Sequence, residues 1–509
     1  MSERERAGAG DDLHRDILTT LLPGFTGTTA PDWLLARLAE GLGGVCVFGH
    51  NVAGAEQLRA LNASLRAANP LAVVAIDEEG GDVTRLFHHA GAPFPGNALL
   101  GRLDDESLTE RVARAVGEAL AATGCTLALA PDVDVNSNPD NPVIGVRSFG
   151  VDPHLAGRHA AAWVRGLQGT GVAASAKHFP GHGDTATDSH LALPVVDVSL
   201  TTLRARELVP FRAAIAAGAR TIMTSHILLP QLDAANPATL SPLLVQGVLR
   251  GELGFDGVVV TDALDMHGAS GVLGISEAAV QALAAGCDLL CLGSDTTAGE
   301  LEVIVTAIEA AIADGRLAAD RVREAARRVR ALAATAPAMP TSPAVVEPRH
   351  DAADLARLAS AFDVTDAARA RLASASRVGT VVRVETAANI AIGHAPWGPF
   401  AAAAAGADAP WLDTARILTV AAHTVLPDPA SLDGAVLVVG KDLHRHPFAV
   451  AAVAALRAVR DDVVTVDMGW PSDDRALADV ATFGASRLVG EALLGFVAEA
   501  VALAPTSAP

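Results

Sequence analysis

The chain alternates short apolar runs with longer amphipathic stretches. Over the first 330 residues, eight runs have strand length: residues 17–22, 45–48, 73–76, 127–130, 172–176, 221–224, 258–260 and 289–292. Most are nearly continuous in Val, Ile, Leu and Ala rather than alternating with polar residues. That pattern marks strands buried on both faces. Between them lie segments of helical periodicity, such as residues 58–67 and 276–285. Strand–helix repetition predicts a parallel sheet covered on both sides. Eight units in this length fit a (β/α)8 barrel better than an open doubly wound sheet.

A charged helix over residues 318–333 closes this region, and residues 335–348 then hold four prolines without periodicity. That stretch reads as a linker. The β/α rhythm resumes at residues 378–384, 390–392, 417–421, 435–439 and 463–466. The expected organisation is an N-terminal (β/α)8 TIM-type barrel over 1–334 and a linker with a helical segment over 335–376. A smaller C-terminal α/β sandwich domain follows over 377–509.

Composition narrows the function. Apolar residues make up 50% and charged residues 19%, which excludes disorder as the dominant state. Acids outnumber bases 58 to 38, for a formal charge of −20, so neither nucleic acid nor an anionic membrane is an expected partner. The cysteines Cys46, Cys125, Cys287 and Cys291 lie in apolar runs and read as buried hydrophobes. The N-terminus carries charges of both signs and no apolar signal core, and no run reaches membrane length. A soluble, cytoplasmic protein is expected.

In a barrel, reacting groups collect where the strands end. Asp77 follows the third run, Asp132 the fourth, Lys177 and His178 the fifth, His226 the sixth and Asp262 the seventh. A carboxylate at a strand end, such as Asp262, is held by rigid backbone and suits a nucleophile, a base or a metal ligand. Asp188 and His190 stand two apart in a polar, glycine-rich loop. A carboxylate on one imidazole nitrogen makes the other a proton shuttle. Asp77, Arg147, Lys177 and His178 form a set able to grip several hydroxyls of a polar ligand.

Rival constellations fail on spacing. Asp132-x-Asp134-x-Asn136 opens like a calcium loop, but its sixth position is Ser137 and its twelfth Val143, where Gly and Glu are needed. His178, His182 and His190 with Asp184 lack metalloprotease spacing, and Pro180 interrupts any helical face. Neither a phosphate-binding loop nor a dinucleotide fingerprint is present. No metal and no cofactor is expected.

Three segments carry a resemblance: Ile76-Asp77-Glu78-Glu79-Gly80-Gly81, Gly145-Val146-Arg147-Ser148-Phe149-Gly150, and the run from Lys177-His178-Phe179-Pro180-Gly181-His182-Gly183-Asp184 to Asp188-Ser189-His190. With Met223-Thr224-Ser225-His226 and Val260-Thr261-Asp262-Ala263, they resemble glycoside hydrolase family 3, in its β-N-acetylglucosaminidase branch and two-domain form. The resemblance spans about residues 17–330. It implies a retaining glycosidase that removes terminal β-linked N-acetylglucosamine. By match, Asp262 is the nucleophile and His190 the general acid/base, oriented by Asp188. Asp77, Arg147, Lys177 and His178 match sugar-holding positions, and His226 one that lines the site. Muropeptide fragments, with a role in peptidoglycan recycling, or chitin-derived fragments are the implied substrates.

Two departures stand out. Thr261 and Ala263 flank the nucleophile where the family often has Ser with Asp or Trp, and Asp82 stands where it usually has Arg. Phosphate replacing water would make the enzyme a phosphorylase. The same residues leave room for a β-glucosidase or for a non-catalytic sugar-binding protein. A weaker match covers residues 482–486 and 389–393. Residues 395–398 and 443–446 are candidate substrate-facing loops.

Overall fold

The computed structural model describes residues 12–185, 193–271, 273–339, 345–386 and 391–502. The chain packs as two compact units. The first comprises Met1–Glu79, Asp105–Ile144 and Ser148–Glu347, the second Gly80–Asp104, Gly145–Arg147 and Pro348–Pro509.

Among the described residues, eight strands build the first unit: β1 (Leu21–Leu22), β2 (Gly44–Val47), β3 (Val73–Ile76), β4 (Leu127–Ala128), β5 (Ala173–Phe179), β6 (Thr221–Thr224), β7 (Val258–Val260) and β8 (Leu290–Cys291). β2 to β7 pair in chain order, all parallel. A parallel bridge from Val260 to Leu289 brings in the approach to β8, and β8 pairs with β1. The ring closes where Cys46 N donates to Pro23 O at 3.0 Å. The result is a (β/α)8 barrel.

Its interior is a side-chain core, not a pore. Leu22, Cys46, Ala75, Leu127, Ala173, Met223, Val260 and Cys291 supply one inward residue from each strand. The helix Ala319–Ala333 adds Val329, Leu332 and Ala333. All four cysteines are buried and unbridged.

The apolar runs mark all eight strands, with one real difference. Residues 17–19 are helical, and only Leu21–Leu22 form β1. The hydroxyls of Thr19 and Thr20 donate back to the carbonyls of Arg15 and Ile17, at 2.8 and 2.7 Å. Those bonds close a helix end, and periodicity alone does not separate a short buried helix from a buried strand.

The second unit holds one six-stranded sheet. Its strands are β9 (Asp363–Val364), β10 (Val378–Val384), β11 (Arg416–Val420), β12 (Ala435–Gly440), β13 (Val463–Asp467) and β14 (Val480–Ala481), in the order β11-β10-β12-β13-β14-β9. Only β9 runs antiparallel. Successive residues point to opposite faces. Val381, Leu437 and Val439 meet the helix Arg487–Ala502 through Leu488, Val489 and Leu493. Val382, Val436 and Val438 meet Ala449, Val453 and Leu456 of the helix Pro447–Arg457. This is a three-layer α/β sandwich. The expected strand at 390–392 is not one: Ala391 and Ile392 lie in a turn, and Ile390 falls outside the described residues. β9 and β14, two residues each, carry too little pattern to be read.

Asp288 shows what ties the barrel together at the entry to β8. It is fully buried, accepts from Val259 N at 3.0 Å and pairs with Arg250 and Arg321. Removing one member of a buried ion network leaves uncompensated charge and costs about 3–5 kcal/mol. Asp288→Ala is expected to lower unfolding free energy by that amount, read from the guanidinium denaturation midpoint. A change below about 1 kcal/mol would show the network to be dispensable.

Candidate active site

Because the barrel strands are parallel, residues that follow them share one rim. Asp77 follows β3, Lys177 and His178 sit near the end of β5, His226 lies two residues past β6, and Asp262 lies two past β7. Lys177 is buried, and its ammonium bridges two carboxylates: Asp77 Oδ1 at 2.7 Å and Glu79 Oε1 at 2.8 Å. Glu79 is buried like the lysine, whereas the Asp77 side chain keeps 20% of its surface exposed. The lysine therefore fixes an accessible carboxylate from behind.

Asp134 is the hub of the next group. It is buried, and its Oδ1 accepts from the backbone N–H of His178 at 3.2 Å and of His182 at 2.7 Å. Its Oδ2 lies 2.7 Å from His178 Nδ1. Burial pushes the Asp134 carboxyl up. The His178 ring, its hydrogen bond and His182 outweigh this and hold it below the usual carboxylate range. In the neutral His178 ring, Nδ1 is then the donor and Nε2 the acceptor. Asp132, Asp134 and His178 bring ligating atoms within 4.8 Å of one another. A cation there would displace the His178 Nδ1–H from Asp134 Oδ2. The donor set therefore fits a hydrogen-bonded hub better than a metal centre.

His182 packs edge-to-face on His178, with ring centroids 5.9 Å apart. Its Nδ1 is 2.9 Å from Thr185 Oγ1. Asn141 Nδ2 donates to the carbonyls of His182 and Gly183 at 2.8 and 3.0 Å. Residue 183 must be glycine, since a Cβ there would lie 1.6 Å from Val135 O.

Asp262 is partly exposed, and its Oδ1 accepts from Ala263 N at 2.8 Å. His226, fully buried, donates from Nε2 to Ala263 O at 3.0 Å. Ala263 is thus held at its carbonyl by His226 while its N–H orients the Asp262 carboxylate. Small residues at 261 and 263 do not weaken that grip.

Arg147 ends a short 3-10 turn, Gly145–Arg147, belonging to the second unit, where Asn97 Nδ2 donates to its carbonyl at 2.7 Å. Asp82, in the same unit, accepts from Ala485 N at 2.8 Å and so ties residues 482–486 in place. Of the candidate loops, Trp397 is 7% exposed with the Lys441 ammonium 5.4 Å from its ring centroid, and residues 443–445 form a 3-10 turn. Asp188 and His190 lie outside the described residues. Sequence reasoning missed Glu79 and the role of Asp134. The discarded calcium pattern held the signal for Asp134, because alternate acids after a strand place two carboxylates at one rim.

His182 gives a pH prediction. Burial, with His178 beside it, lowers its pKa to about 4, against the pull of Asp134 and Asp262. The unfolded chain takes up that proton near pH 6.5. The folded state therefore loses stability as pH falls from about 6.5 toward 4. The His182 ring protons are expected to show no NMR titration step between pH 8 and 5. A step near 6.5 would contradict the packing described.

Residues 29–332 match the Glycosyl hydrolase family 3 N terminal domain. The Beta-hexosaminidase of Stenotrophomonas maltophilia (strain K279a) is 39% identical over 281 residues, covering 53% of this chain and 82% of that protein. Beta-hexosaminidase A of Pseudoalteromonas piscicida is 38% identical over 285 residues. That match covers 52% of this chain and about half, 48%, of the relative. A solved glycoside hydrolase family 3 beta-N-acetylglucosaminidase from Paenibacillus sp. str. FPU-7 superposes with a TM-score of 0.83 at 30% identity. It covers 97% of each chain. With more than half of its length matched and the barrel in place, the chain belongs to glycoside hydrolase family 3.

Proposed function

We propose that this chain is a retaining exo-β-N-acetylglucosaminidase that removes terminal β-linked N-acetylglucosamine from small carbohydrate fragments. The observation that carries this reading is the oriented Asp262 carboxylate on the rim that also holds Asp77, Lys177 and His178. The relatives support it: two are beta-hexosaminidases and one is a beta-N-acetylglucosaminidase. Muropeptide or chitin-derived fragments, met in the cytoplasm, are the substrates it offers. Among the described residues no helix is long and apolar enough to cross a membrane.

The chemistry runs in two displacements. Asp262 attacks the anomeric carbon and forms a glycosyl-enzyme as the glycosidic bond breaks. His190, oriented by Asp188, gives its proton to the departing oxygen. The neutral imidazole then takes a proton from water, which attacks the same carbon and frees both the sugar and Asp262. Asp77, held by Lys177, accepts hydrogen bonds from sugar hydroxyls, and His178 offers its Nε2 as a further acceptor. By family match, Arg147 is a further sugar-holding position. An imidazole titrates near neutrality without burial, which suits it to both proton transfers.

Asp262→Ala is expected to lower kcat about 10,000-fold or more on every substrate. His190→Ala is expected to cost about 100-fold or more on a disaccharide and under about tenfold on an aryl glycoside with a good leaving group. Equal losses on both substrates would remove His190 from the acid role. The parent test is product analysis on aryl β-N-acetylglucosaminide and aryl β-glucoside, with and without phosphate. Free N-acetylglucosamine from the first substrate alone supports the proposal. Sugar 1-phosphate would make the enzyme a phosphorylase, since neutral imidazole does not repel that anion. No cleavage of either by folded protein would leave a sugar-binding protein.

A further inference from the structure

The turn after β5, residues 180–185, is held from two sides. Asn141 takes its carbonyls, as described above. From the other side come Arg206 and Glu207, at the start of the helix Leu208–Ala216. Arg206 Nη2 donates to Asp184 Oδ2 at 2.6 Å, and Arg206 Nε donates to Glu207 Oε1 in a very short contact. Glu207 is 1% exposed, and its second oxygen, Oε2, meets no donor among the described residues.

That oxygen lies against the turn itself. A Cβ on Gly181 would sit 2.8 Å from Oε2 and 2.7 Å from Glu207 Cβ, at a backbone φ of +131°. The glutamate thus fills the place that a side chain at 181 would need. A buried carboxylate with an unmet oxygen is costly, and an apolar side chain would fill the same volume at less cost. Burial pushes the Glu207 carboxyl up to about 7 against the pull of Arg206, with Asp134 and Asp184 pushing the same way. Arg206, Asp134 and Asp184 are the charged groups that act on it most strongly among the described residues. Stability alone therefore does not explain the residue.

We propose that Glu207 is a positioning residue: by taking the Arg206 Nε–H it aims that guanidinium at Asp184 and so sets the turn 180–185. In sequence, Asp188 and His190 follow this turn by three and five residues. The catalytic consequence rests on the glycosidase reading, whereas the effect on the turn does not. Glu207→Gln keeps the shape and one acceptor oxygen but removes the charge that orients Arg206. Asp184→Asn, at a more exposed position, weakens the other end of the same link.

The test uses the full chain. Amide hydrogen exchange is measured at Gly181 and His182, whose N–H groups bond to His178 O and Asp134 Oδ1 at 2.8 and 2.7 Å. Rates are measured on two aryl β-N-acetylglucosaminides, one with a good and one with a poor leaving group. Both variants are expected to speed exchange at these two amides about tenfold, with the Ser175 amide in β5 unchanged. Both are also expected to lower kcat about tenfold on the poor leaving group while sparing the good one. Unchanged exchange overturns the proposal. Faster exchange with equal losses on both substrates overturns the positioning role and leaves a structural one. A wild-type protein inactive on both refutes the glycosidase reading, and exchange alone then decides the turn.

Discussion

Asp134 accepts three N–H contacts while wholly removed from water, and the β5 end of the rim depends on that arrangement. A lone carboxylate in such a place would take up a proton, since desolvation penalises the charged form. Two backbone amides and an imidazole reverse that balance. In return the carboxylate fixes where β5 ends, which tautomer His178 adopts and how the chain turns toward His182. Removing the charge would free all three at once. The grip on Asp262 is built differently, from the backbone N–H and carbonyl of Ala263. One end of the rim is therefore organised by a charge and the other by the backbone.

Much of this was legible in the sequence. The barrel strands are buried on both faces, so their apolar runs stand out, and the residues that follow each run define a rim. Asp77, Lys177 and Asp262 could be named for that reason alone. Reading failed where the physics is not local. Ile17 and Leu18 are apolar because they are buried, and the threonine back-bonds that make their segment helical depend on a few atoms. Asp134 looked like a fragment of a calcium loop because sequence gives the spacing of carboxylates and not what they face. Glu207 sits among residues of helical pattern, and nothing local shows that its neighbour across space is Gly181. Residues 80–104 and 145–147 pack with the second unit, although their place in the chain lies inside the barrel. No window of periodicity reports such an excursion.

The electrostatics of the rim follow one rule, that buried charges are paired or hydrogen-bonded before a ligand arrives. Lys177 already satisfies Asp77 and Glu79, and Asp134 already has its donors. A buried ammonium held by two carboxylates is fixed in advance, so under the proposed function it costs no reorganisation when a sugar binds. His182, held neutral by burial, adds shape and no charge near Asp262.

The run from Lys177 to Asp184 was the strongest sequence signature, and most of it serves packing rather than chemistry. Gly183 is there because Val135 O leaves no room for a Cβ, and Gly181 because Glu207 occupies the place of its side chain. His182 is buried and takes part through its contacts with Thr185 and His178. Asp184 is an anchor for Arg206. Only Lys177 and His178 face the work proposed for the rim. A turn built so tightly admits few substitutions at any position, whatever the substrate. That explains why such a run identifies a fold and a family at once. It also explains why the run leaves the aglycone unread: the residues that constrain it most contact the protein itself.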